Sequence, residues 1–87
     1  MSKPSTSWII LDNVEIGDEF NDPVGHIETE AIGQQYAVSA AQAIARYKYK
    51  TGFREGDRVN PYITGRCWEI HTLSAVRESE YRKAGKV

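Results

Sequence analysis

Apolar positions in this chain first gather in one tight group, Trp8-Ile9-Ile10-Leu11, which ends on Asp12-Asn13, a turn signal. The group predicts a strand over 7–11, with both faces covered or with Trp8 closing one end of the core. Between Val14 and Gly25 the pattern weakens. Val14 and Ile16 alternate with polar residues, while Gly17-Asp18 and Asn21-Asp22-Pro23 carry turn chemistry. An acid-rich loop with a short extended piece is expected there. Ile27 and Thr29 then share one side of an extended segment, Gly33 interrupts it, and Tyr36 and Val38 share a face beyond. This is either one bent strand with a bulge at Gly33 or a hairpin of two strands.

The period lengthens at residue 40. Ser39 with Gln42 three positions on forms a capping-box pattern, Gly52 is a natural C′ residue, and Lys48 and Lys50 suit the negative end of a helix dipole. Ala41, Ile44, Ala45 and Tyr49 recur at helical spacing and are the expected core stripe, with Gln42, Arg46 and Lys50 on the opposing row. This leaves Tyr47 as the exposed aromatic. Phe53 to Asn60 reads as a loop, and Tyr62-Ile63-Thr64 as the start of a strand broken at Gly65. Arg66 to Leu73 alternates, with Trp68 and Ile70 on one face and Cys67, Glu69, His71 and Leu73 on the other. Residues 74–87 read as a short frayed helix carrying Val76 and Tyr81, or as a loose tail.

The economical assembly is an α+β fold, a single helix packed on a small, mainly antiparallel sheet of three to four strands. The alternative is a small SH3-like β-barrel. The shape x-x-Gly-Asp-x-apolar at 15–20 and again at 54–59 suggests it weakly, because such turns are common. A length of 87 residues makes one domain, with residues 1–6 as a flexible leader and 77–87 as a frayed tail. A core this small competes with a deep substrate cavity for the same apolar residues, so catalysis is not expected.

Composition, at 40% hydrophobic and 26% charged, is that of an ordinary globular chain. The single cysteine, Cys67, excludes a disulfide within the chain and favours a reducing, cytoplasmic setting. No apolar run approaches the ~18 residues of a membrane span. The net charge of −1 hides an asymmetry. Residues 1–39 hold one base against seven acids, and residues 40–87 ten bases against five acids. The two halves either form separate acidic and basic surfaces or pair with each other in the fold.

Two surfaces follow as candidates. The acidic residues Asp18, Glu19, Asp22, Glu28 and Glu30 can engage a basic groove on a protein or nucleoprotein partner by resembling a phosphate backbone. The plain alternative is a solvated acidic loop. The tract around Arg46, Tyr47, Lys50, Arg54 and Arg58 mixes cations with aromatics, the combination that holds nucleic acid. Its plain alternative is a solvated helix face. Cys67 and His71, about 13 Å apart on a strand rising ~3.3 Å per residue, are too distant for a nucleophile–base pair or joint metal ligation. No calcium-loop spacing or glycine-rich phosphate loop is present, so neither a cofactor nor a metal is expected. Nine aromatics are many for one small core, and some must reach the surface, where they anchor interfaces. An exposed strand edge leaves a homodimer open.

Gln35-Tyr36-Ala37-Val38-Ser39-Ala40-Ala41-Gln42-Ala43-Ile44 resembles a strand-into-helix segment of short phage and mobile-element proteins, some of them of the anti-CRISPR type. The resemblance covers only this junction. It implies a small non-enzymatic inhibitor docking on a larger nucleoprotein machine, and it transfers no site residue.

Overall fold

The computed structural model describes residues 4–18, 22–58 and 67–83. The elements run β1 (Thr6–Asp18), β2 (Asp22–Ala37), α1 (Ala40–Thr51), β3 (Gly56–Arg58), β4 (Cys67–Arg77) and α2 (Glu78–Lys83). Three long antiparallel strands and the short β3 form one sheet in the order β2-β1-β4-β3. The fold is α+β, as the periodicity predicts. It carries a second helix, α2, where a single helix was expected. Among the described residues β2 and β3 are its two edges, so the sheet is open rather than closed into a barrel.

The strands are longer than their apolar groups. β1 does not stop at Asp12-Asn13 but continues to Asp18, because β4 pairs with it from Trp8↔Arg77 to Asp18↔Cys67. Asp12 and Asn13 act as ladder residues. Asp12 is buried against His71, and the Asn13 amide donates to Ser74 Oγ (2.9 Å) and Thr72 O (3.1 Å). The expected loop after Val14 is therefore the continuation of β1 and the start of β2. Of the two expectations for residues 74–87, a short helix or a loose tail, the helix forms as α2 and carries Tyr81, while Val76 belongs to the end of β4. The expected strand at 62–64 lies outside the described residues.

β2 is the single bent strand. Its register against β1 slips between Ile10↔Gly33 and Leu11↔Ala31, leaving Ile32 as the extra residue of a bulge. The bulge lets Ile32 join the core while Gly33 sits under the Tyr47 ring. A Cβ at Gly33 would stand 2.6 Å from Tyr47 Cε2, so only glycine admits the ring at this distance.

Helix α1 starts and ends where its caps place it. The Ser39 hydroxyl accepts from Gln42 N (3.2 Å), and Gln42 Oε1 accepts from Val38 N (2.9 Å). Gly52, at φ 74°, closes the helix by donating to Lys48 O. The face it buries is not the predicted stripe. Ala43 is fully buried, and Ile44 and Tyr47 pack against it, whereas Tyr49 is 92% exposed and Ala41 and Ala45 face solvent. The helix is rotated by about one residue, 100° at 3.6 residues per turn, from the expected orientation. Tyr47 wins the inward position because Gly33 makes a slot for its ring and Phe53 stacks beside it, with centroids 6.1 Å apart.

The core is small: Ile10, Ala37, Ala43 and Leu73 are buried, with Trp8, Ile32, Ile44, Tyr47, Phe53 and Ala75 packed around them. Two devices reinforce it. The Trp8 indole donates to Ala37 O (3.0 Å), tying β1 to the last residue of β2. The Glu55 carboxylate holds the Lys48 ammonium and accepts from Leu73 N (2.8 Å), joining the helix end, the following loop and β4. The Lys48 hydrogen bond, with a further contribution from the Leu73 N–H, keeps the Glu55 carboxyl below its ordinary value.

Candidate functional site

β2 is the outer strand on one side of the sheet. Over most of its 16 residues, one side of its backbone pairs with β1, and among the described residues no strand lies on the other. Its side chains alternate. His26, Glu28 and Glu30 stand opposite Ile16, Val14 and Asp12, on the face that carries α1. Ile27, Thr29 and Ala31 stand opposite Glu15, Asn13 and Leu11, on the other face. Glu28 and Glu30 are exposed and Ile27 is 69% exposed. His26 Nε2 lies 3.4 Å from Glu28 Oε1. The outer edge is thus a ribbon with carboxylates on one side and an aliphatic side chain on the other.

The acidic candidates separate on this scaffold. Glu28 and Glu30 lie on the open edge. Asp18 and Asp22 are register partners at the end of the β1–β2 hairpin, Asp22 being placed by its backbone. Glu19 lies outside the described residues. The acidic half of the sequence thus maps onto the hairpin and its edge.

The other end of β2 is closed. Arg46 Nη1 donates to Tyr36 O (2.5 Å), and the Trp8 indole occupies Ala37 O. Beside this closed end, between β2 and the outward face of α1, runs an open groove of about 620 Å³. Tyr36 and Tyr49, 62% and 92% exposed, line it together with Arg46 and Lys50.

Of the predicted basic set, Arg46 and Lys50 meet in this groove. Tyr47 does not, because its ring is turned into the core. Arg54 is exposed in the loop after α1, and Arg58 is placed by its backbone in β3. The aromatics of the groove, Tyr36 and Tyr49, were missed for opposite reasons. The alternation marks Tyr36 only as a strand residue, and the helical spacing places Tyr49 in the core stripe. Gly33 is the signal for Tyr49 alone: a glycine inside a strand marks a close approach, here that of Tyr47, whose inward turn leaves Tyr49 outside.

A third arrangement escaped the sequence entirely. Asp12 and His71, 59 residues apart, form a buried pair in which His71 Nδ1–H donates to Asp12 Oδ2 (2.9 Å) and Oδ1 (3.1 Å). Phe53 covers the His71 ring edge-on at 6.1 Å, and Glu69 Oε1 lies 3.9 Å from Nε2. No serine, threonine or cysteine hydroxyl or thiol is hydrogen-bonded to this imidazole among the described residues, so the pair reads as a polar strut between β1 and β4. Among the described residues no three His, Cys, Asp or Glu side chains are placed to hold a metal ion, and no helix is long and apolar enough to cross a membrane.

No protein-family model, no curated protein and no solved structure matches the chain.

Proposed function

We propose that this protein is a non-enzymatic binding module that takes an extended segment of a protein partner onto the outer edge of β2. The observation that carries the reading is the edge itself, a long strand with a neighbouring strand on one side only among the described residues and an ordered alternation of side chains along it. Strand addition draws affinity from main-chain hydrogen bonds and specificity from alternate side chains. A segment laid beside β2 would place one set of side chains next to Glu28 and Glu30 and the other next to Ile27 and Ala31. The favoured partner segment therefore alternates basic and apolar residues. Opposite-charge cross-strand pairs contribute roughly 0.2–1 kcal/mol each, so two such pairs supply about 2- to 30-fold in affinity.

The same carboxylates disfavour a second copy. Two β2 edges paired antiparallel near this point would bring Glu28 and Glu30 against their own equivalents, and like charges directly opposite are destabilising. The edge is closed to itself and open to a basic strand. An inhibitor of the anti-CRISPR type would use such an edge to hold an extended segment of the machine it blocks.

The test is a panel of seven-residue peptides read by fluorescence anisotropy: Lys/Val alternating, Glu/Val alternating, and a scrambled Lys/Val sequence. The alternating basic peptide should bind best. The Glu28→Lys, Glu30→Lys double variant should transfer the preference to the acidic peptide. Equal binding of the alternating and scrambled basic peptides would refute strand addition and leave only general charge attraction.

A further inference from the structure

We propose that the groove between α1 and the closed end of β2 binds single-stranded nucleic acid, with Tyr36 and Tyr49 stacking on bases and Arg46 and Lys50 holding phosphates. This site is separate from the open part of the β2 edge, and the inference does not depend on strand addition there.

Three observations carry it. The first is the exposure of the two tyrosines. A tyrosine 92% exposed on a helix contributes nothing to the core, and Tyr36 at 62% contributes little. Both residues line one groove and both are largely exposed, so their rings are free to act as stacking platforms. The second is charge. Two cations line the groove, and among the described residues no carboxylate does. The acids that could neutralise it lie elsewhere: Glu55 holds Lys48, and Glu28 and Glu30 lie along the open part of β2.

The third is the fixed position of Arg46. One of its nitrogens is committed to Tyr36 O at 2.5 Å, which anchors the guanidinium at the strand end. A guanidinium has five N–H donors, so most remain for a phosphate. Lys50 lies one turn further along the same helix face. The groove is open to solvent rather than enclosed, which suits a chain lying across it better than a buried small molecule. A duplex keeps its bases stacked inside and offers these tyrosines nothing, so single strands are the expected class.

The probe is a fluorescently labelled twelve-residue oligothymidylate, with a duplex of the same length and thymidine monophosphate as competitors. Anisotropy should show binding at 50 mM salt that weakens about sevenfold at 200 mM, the dependence of two phosphate contacts on a single strand. Lys50→Gln should reduce that loss to about 2.5-fold, by removing one contact. Tyr49→Ala and Tyr36→Ala should each weaken binding by roughly 5- to 160-fold, whereas Tyr49→Phe should retain most of it. The duplex and the mononucleotide should compete poorly. Glu28→Gln should leave oligonucleotide binding unchanged, so the two surfaces can fail independently. Absence of binding at 50 mM salt overturns the proposal. So does binding indifferent to both tyrosines, or equal competition by duplex or mononucleotide.

Discussion

The rotation of α1 decides which tyrosine supports the core and which is free to bind, and it can be tested through Gly33. A methyl group added at Gly33 would lie 2.6 Å from Tyr47 Cε2 and 3.1 Å from Cδ2. Carbon atoms rest at about 3.5–4.0 Å, so the ring must retreat by roughly 1 Å. Phe53 flanks the same ring, which restricts that retreat. Overpacking of this kind costs about 1–3 kcal/mol. Replacing glycine within a strand returns roughly 0.5–1 kcal/mol of backbone entropy. Gly33→Ala should therefore destabilise the protein by about 1–2 kcal/mol, lowering Tm by about 5–15 °C for a domain of this size. In a Tyr47→Leu background the clash is absent, and Gly33→Ala should be neutral or slightly stabilising. Urea unfolding of the four proteins gives the coupling energy, expected at about 1–3 kcal/mol. Tyr49→Ala, at an exposed position, should stay within about 0.5 kcal/mol of the parent. A Gly33→Ala cost that is equal in both backgrounds, or a Tyr49→Ala cost matching that of Tyr47→Ala, would refute the orientation described here.

Three further outcomes follow from the same structure. Asp12→Ala strands the buried His71 imidazole and should cost about 2–3 kcal/mol by chemical denaturation, while Glu69→Gln, at the more exposed neighbour, should cost much less. Glu55 has a carboxyl pKa lowered on folding, so its contribution is present above the unfolded value of 4.5 and is lost as the pH falls through the lower folded value. Thermal unfolding between pH 5 and pH 3 should thus lose less stability in Glu55→Gln than in the parent. Ser39→Ala removes the hydroxyl that accepts from Gln42 N and should cost about 1 kcal/mol, visible as a lower urea midpoint with an unchanged slope.

Local chemistry announced the helix well. Ser39, Gln42 and Gly52 do in the structure what their positions suggest, because capping depends on neighbours a few residues away. The face that the helix buries was not legible in the same way. Ala41, Ile44, Ala45 and Tyr49 make as good a stripe as Ala40, Ala43, Ile44 and Tyr47. The choice between them rests on Gly33 and Phe53, which lie outside the helix. The extent of β1 was hidden for a similar reason. Asp12-Asn13 carries turn chemistry locally, but His71 and Ser74 on β4 satisfy both side chains, and no spacing along the chain connects residues that far apart. The bulge at Ile32 shifts the alternation of β2 by one position, so no single period-2 reading spans Ile27 to Tyr36. The open edge bearing Glu28 and Glu30 follows only from strand order, which becomes visible when β4, rather than β2 alone, is seen to pair with β1.

Amide hydrogen exchange along β2, measured with and without the alternating Lys/Val peptide, tests the proposed mode of binding most directly. Strand addition predicts fast exchange at alternate β2 amides in the free protein and marked slowing of those same amides when the peptide is present, with α1 unchanged. Peptide binding that leaves β2 exchange as it was, or that slows only the helix, would contradict it.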